Sequence, residues 1–132
     1  MRKLKPEPLT REAFAPYGEV IEVGGAKEIR EINYGNTRRF HDLAGLDMGE
    51  GRALVSIFRS SPLPRPIPLK VMEVHPLGSQ AFMPLNGRPY LVVVAGQGEF
   101  QTENLRVFLA GPEQGVNYHK GCWHHYSLAL DE

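Results

Sequence analysis

The sequence predicts an all-β domain, a sandwich or barrel of short strands. Three observations carry that expectation. Apolar and polar residues alternate at period two over short runs throughout the chain. These runs are punctuated by 14 glycines and 11 prolines. No stretch keeps helical apolar spacing for more than one or two turns. At 132 residues the chain can bury one modest core, so residues 1–132 are expected to form a single domain.

In chain order, Leu4-Lys5-Pro6 reads as a short edge strand stopped by prolines. Thr10 is an N-cap for a helical turn over Arg11-Glu12-Ala13-Phe14, ended by Pro16 and Gly18. Glu19 to Val23 alternates as a strand, and residues 26–35 read as loop with at most a strand at Ile32. A strand follows over Thr37 to Leu43. Arg52 to Arg59 carries apolar residues on both faces and is expected to be a strand that is central or covered on both sides. Its neighbour, Ser60 to Pro68, places prolines at alternate positions and cannot donate to a ladder, so it reads as an extended crossing loop. Strands are expected at Leu69–His75, Gln80–Pro84, Tyr90–Ala95 and Leu105–Ala110, with a turn at Asn86-Gly87. His119-Lys120-Gly121 reads as a turn, and Cys122 to Leu128 is the last strand.

Composition narrows the function classes. There are 15 basic and 15 acidic residues, a net charge of zero, so nothing marks a nucleic-acid or anionic-membrane surface. A single cysteine, Cys122, excludes an internal disulfide framework and suits a reducing cytoplasm. The N-terminal stretch is charged without an apolar h-region, and no apolar run approaches the ~20 residues of a membrane helix.

Chemistry concentrates in two stretches. In Val71-Met72-Glu73-Val74-His75 the strand period puts Glu73 and His75 on one face, with Met72 and Val74 on the other. After a turn at His119-Lys120-Gly121, alternation puts His124, Tyr126 and Leu128 on one face and Trp123, His125 and Ser127 on the other. An isolated histidine is usually a packed side chain; two at this spacing, with a carboxylate beside one, favour a site. Arg39 and His41 share a strand face. They fit either a solvated strand end or, for Arg39, a bidentate clamp on a carboxylate.

Glu73-x-His75-x4-Gln80 followed by Gly121-x-x-His124 resembles a worn version of the two cupin motifs, His-x-His-x4-Glu and Pro-x-Gly-x-x-His. Glu73 stands for the first histidine, Gln80 for the glutamate and His119 for the proline. Longer runs, LTREAFAPYGEVIE, RRFHDLA, SIFRSSP, HPLGSQAFMPLNG and GPEQGVNYHKGCWHH, resemble the ureidoglycolate lyase (ureidoglycolate hydrolase) family of allantoin and purine-nitrogen catabolism. The resemblance implies a double-stranded β-helix (jelly-roll) barrel, a homodimer, and cleavage of ureidoglycolate to glyoxylate and urea. On this expectation Glu73, His75, His119 and His124 are catalytic, and Arg39, Gln80 and Tyr126 bind substrate. Glu73, His75, Gln80 and His124 would hold a divalent ion, nickel in some relatives. Two other classes stay open: a small-molecule-binding cupin without turnover, and a metal-dependent isomerase or oxygenase, which the lack of a three-histidine set argues against. Family members continue past the His-His element, whereas this chain stops at Asp131-Glu132. The resemblance therefore implies either a shortened member that closes its barrel differently or a chain lacking a C-terminal strand.

Overall fold

The computed structural model describes residues 3–130, so Asp131 and Glu132 lie outside it. The described chain is all-β apart from one helical turn and two 3-10 turns, an architecture consistent with the expected jelly roll. Its strands are β1 (Glu7–Pro8), β2 (Gly18–Ile21), β3 (Glu28–Ile32), β4 (Thr37–His41) and β5 (Gln80–Phe82). They continue as β6 (Tyr90–Gly96), β7 (Arg106–Ala110), β8 (Gly115–Tyr118), β9 (Trp123–His124) and β10 (Leu128–Ala129). One sheet runs β1-β7-β6-β10 with β9 also paired to β6; a second runs β2-β8-β5; β3 and β4 form a separate hairpin.

Strand β6 is apolar at every position from Tyr90 to Ala95 because both of its faces are covered. Val92 and Val94 point into the inter-sheet core with Phe14, Phe108, Val116 and Tyr118. Val93 packs on the opposite face with Val107 and Leu128, under a cover that includes Ile67, Leu69 and Met72. The proline-rich segment is therefore a cover strapped across a sheet, as its apolar residues between prolines allow. Helix α1 (Arg11–Phe14) forms as the sequence predicts: Thr10 is extended and its hydroxyl accepts from the Ala13 amide at 3.2 Å, while Phe14 is fully buried.

Four expectations need correction. Arg52–Arg59 forms no ladder, and Leu54, Val55, Ile57 and Phe58 are exposed. Alternation gives a segment strand character, but a ladder also needs a neighbouring backbone, and β5 pairs only with β8. Leu69–His75 narrows to a single bridge at Glu73, since Leu69 and Met72 pack on the face of the sheet instead of running along an edge strand. Residues 28–32, read as loop, form β3; Asn33, Tyr34 and Gly35 all have positive φ and turn it back onto β4. The Cys122–Leu128 strand is interrupted between β9 and β10.

Candidate active site

His124 is fixed from both sides. It lies opposite Val94 of β6, next to a bulge at Gly96, and opposite Glu73 on the other side. Glu73 and His124 exchange two backbone hydrogen bonds, with the Glu73 amide donating at 2.7 Å and the His124 amide at 2.9 Å. Residues directly opposite in an antiparallel pair project to the same face, so the buried His124 and the part-exposed Glu73 meet there. Two residues along, His75 returns to that face, while Met72 packs in the cluster behind the sheet. The approach to His124 is set by a turn in which the Cys122 amide bonds the His119 carbonyl. Gly121, at φ 80°, takes the left-handed conformation there, and its amide bonds the His75 carbonyl at 2.9 Å.

The result is a compact donor cluster. Glu73 Oε2 lies 3.7 Å from His124 Nε2 and 3.9 Å from His75 Nε2, and the two imidazoles stack with centroids 5.2 Å apart. One ligating atom from each of the three residues falls within 4.8 Å of the others. These separations exceed a hydrogen bond but approach the spacing of about 3.4 Å that tetrahedral ligands about 2.1 Å from a common ion would have.

His124 is 2 % exposed, and burial pushes its imidazole pKa below the ordinary value; a weaker, opposing effect comes from the Cys122 carbonyl. Its Nδ1 lies 3.1 Å from that carbonyl. In the neutral ring Nδ1–H donates there, which leaves the Nε2 lone pair aimed at Glu73 and His75. That Nε2 is buried without a hydrogen-bond partner, and so is Gln80 Oε1. Gln80 sits opposite Tyr118 on the face it shares with Phe82, whose ring meets Tyr118 edge-on. An orphaned, buried imidazole nitrogen beside a carboxylate and a second imidazole fits a divalent ion of borderline softness.

The model of the ureidoglycolate lyase family matches residues 1–132, the whole chain. The chain belongs to the ureidoglycolate lyase family. A ureidoglycolate lyase from Burkholderia mallei is 54% identical over 134 residues, covering 100% of this chain and 78% of the relative. The one from Brucella anthropi is 56% identical over 128 residues, 96% of this chain and 75% of its own length. A third, from Pseudomonas syringae pv. syringae, is 50% identical over 135 residues, 100% of this chain and 79% of the relative.

In this member of the ureidoglycolate lyase family the other sequence candidates fall outside the cluster. His119 is exposed in the turn beside His75; its amide donates to the Tyr17 carbonyl, and its ring is not among the converging donors. Arg39 stands exposed on the β3–β4 hairpin opposite Arg30, with Glu28 as a nearby counter-charge. Tyr126 does not share the face of His124, because the strand is broken between them. It packs on His125 at 4.0 Å and lines a cleft of about 310 Å³ with Leu63, three prolines and Lys70. His125 is buried away from the cluster, as its opposite parity predicts. Burial pushes the Cys122 thiol up to about 11, so it is no nucleophile at neutral pH.

Sequence reasoning missed Tyr118 and Asn117. Tyr118 stacks on His124 with centroids 4.2 Å apart and planes 9° from parallel. Asn117 donates to Glu19 Oε1 and to the Gly45 carbonyl, tying the loop after β4 to sheet β2-β8-β5. The alternation Val116-Asn117-Tyr118 was the available signal, hidden by the glycines and proline around it.

Proposed function

We infer that this chain cleaves ureidoglycolate to glyoxylate and urea, acting in allantoin catabolism in the cytoplasm. The observation that carries the reading is the convergence of Glu73, His75 and His124 on one face in a member of this family. Ureidoglycolate is a hemiaminal whose carbon bears a hydroxyl, a ureido nitrogen and a carboxylate. Glu73 accepts the hydroxyl proton as the carbonyl forms and the carbon–nitrogen bond breaks. His75, half-exposed and 3.9 Å from Glu73, gives a proton to the departing urea nitrogen. His124, held with its Nε2 lone pair inward, fixes the geometry between them. With a divalent ion bound, nickel by resemblance, Glu73, His75, Gln80 and His124 would instead serve as its ligands, in place of these proton-transfer roles. When bound, the ion supplies Lewis acidity that lowers the pKa of a hydroxyl oxygen.

Urea release from racemic ureidoglycolate above the spontaneous rate tests this. His75→Ala and His124→Ala should each abolish it while far-UV circular dichroism stays native, and His125→Ala should leave it largely intact. Full activity in either cluster variant would sink the reading; binding without rate enhancement by the unaltered protein would mark a cupin that does not turn over. The exposed apolar run at 52–59 supports a homodimer, which sedimentation at micromolar concentration checks.

A further inference from the structure

We propose that Tyr118 is a positioning residue for this reaction, its ring face locking the imidazole of His124 in the one orientation that presents Nε2 to Glu73. The inference rests on the functional reading above, and its evidence is geometric. The χ2 torsion of histidine is a broad, roughly two-fold rotor, so turning the ring exchanges the places of its nitrogens and carbons at little intrinsic cost. The bond from Nδ1 to the Cys122 carbonyl opposes that turn, but one neutral hydrogen bond has a net worth of only about 1 kcal/mol. A ring stacked 9° from parallel at 4.2 Å adds a flat wall, because rotation about χ2 would swing an imidazole edge into it.

The wall is itself immobile. Tyr118 pairs with Gly18 on one side and Gln80 on the other, in a strand buried at all four positions. Its ring is wedged against Phe14 at 6.1 Å and Phe82 at 6.0 Å. Gly18 is what lets β2 approach so closely, since a Cβ there would collide with the Asn117 carbonyl oxygen. Among the described residues the Tyr118 hydroxyl makes no hydrogen bond, so the ring face is what acts on His124.

The test compares Tyr118→Phe, Tyr118→Leu and His124→Ala, reading steady-state urea release and the ¹⁵N shifts of His124 in histidine-labelled protein. Tyr118→Phe should match the unaltered protein in kcat and keep a single Nδ1–H tautomer. Tyr118→Leu should show mixed or broadened His124 signals, and its kcat should fall roughly 10- to 100-fold with little change in KM. Should the leucine variant fail to fold, Tyr118→Met, unbranched and flexible, takes its place. A single tautomer with unchanged kcat in the leucine or methionine variant overturns the proposal. So does a loss in Tyr118→Phe as large as in Tyr118→Leu, which would give the role to the hydroxyl. Full activity in His124→Ala would overturn the functional reading instead, and the nitrogen shifts would still report whether Tyr118 orients the ring.

Discussion

Two regions with similar alternating sequence behave differently in this molecule. From Gln80 to Ala129 the chain runs through β5 to β10, and Val92, Val93, Val94 and Ala95 are at most 4 % exposed. From Asp42 to Ser79 there is no strand, only the bridge at Glu73, and Val55 is 98 % exposed. Both regions contain runs of valine, isoleucine and phenylalanine. The difference is partnership: β6 has β7 on one side and β9 and β10 on the other, and side chains cover both its faces, whereas residues 52–59 have no ladder at all. The candidate site straddles the divide. His124 comes from the ladder-bound region, and Glu73 and His75 come from the region joined to it by one bridge. One side of the site is thus held by a packed core, and the other by two backbone bonds, the turn at Gly121 and the packing of Met72 behind the sheet.

The sharpest way to break this contrast is a pair of truncations. Phe108→Ala, in the core of β7, should cost about 3–5 kcal/mol in urea denaturation, as for other buried aromatic truncations. Val55→Ala should stay within about 0.5 kcal/mol. Equal losses would mean that residues 52–59 are packed in solution, as a dimer interface would make them.

A smaller effect is expected from pH. Burial depresses the His124 pKa in the folded state, so the unfolded chain binds the proton more readily near the ordinary value of 6.5. Stability from this group is therefore complete above about pH 6.5 and declines as pH falls through the depressed folded value. Between about pH 7.5 and 5.5 the denaturation midpoint should drop, and His124→Gln should flatten the slope. That window lies above Glu7, Glu28 and Asp47, whose partners hold them below their ordinary 4.5, 4.5 and 3.8. A slope unchanged in the glutamine variant would assign it to another histidine.

The least effect is expected at the Asp47–Lys120 ion pair, 3.6 Å long and half-exposed on both sides. Lys120→Ala should leave the thermal midpoint unmoved within repeat error, because solvent screens such pairs. The loop remains tied by the Ser79 amide on the Asp47 carbonyl at 2.7 Å, which the substitution retains. A clear drop would show that the less ordered region depends on this pair for its seat beside His75.

Sequence alone was enough for the all-β class, the capped turn at Thr10, the strand at Tyr90–Ala95, and the shared face of Glu73 and His75. Each of these follows from local chemistry: side-chain parity, a hydroxyl three residues before an amide, an apolar run too short for a helix. What parity cannot supply is a neighbour. Whether Arg52–Arg59 finds a ladder, whether β3 folds back on β4, and whether Tyr126 keeps step with His124 depend on backbones distant in sequence and on breaks that reset the period. The same holds within the site. Alternation assigns His124 a side, but only the packing of β8 against β2 and β5 brings the ring of Tyr118 flat against it, since a stack needs two strands at a set distance and no single strand encodes that distance.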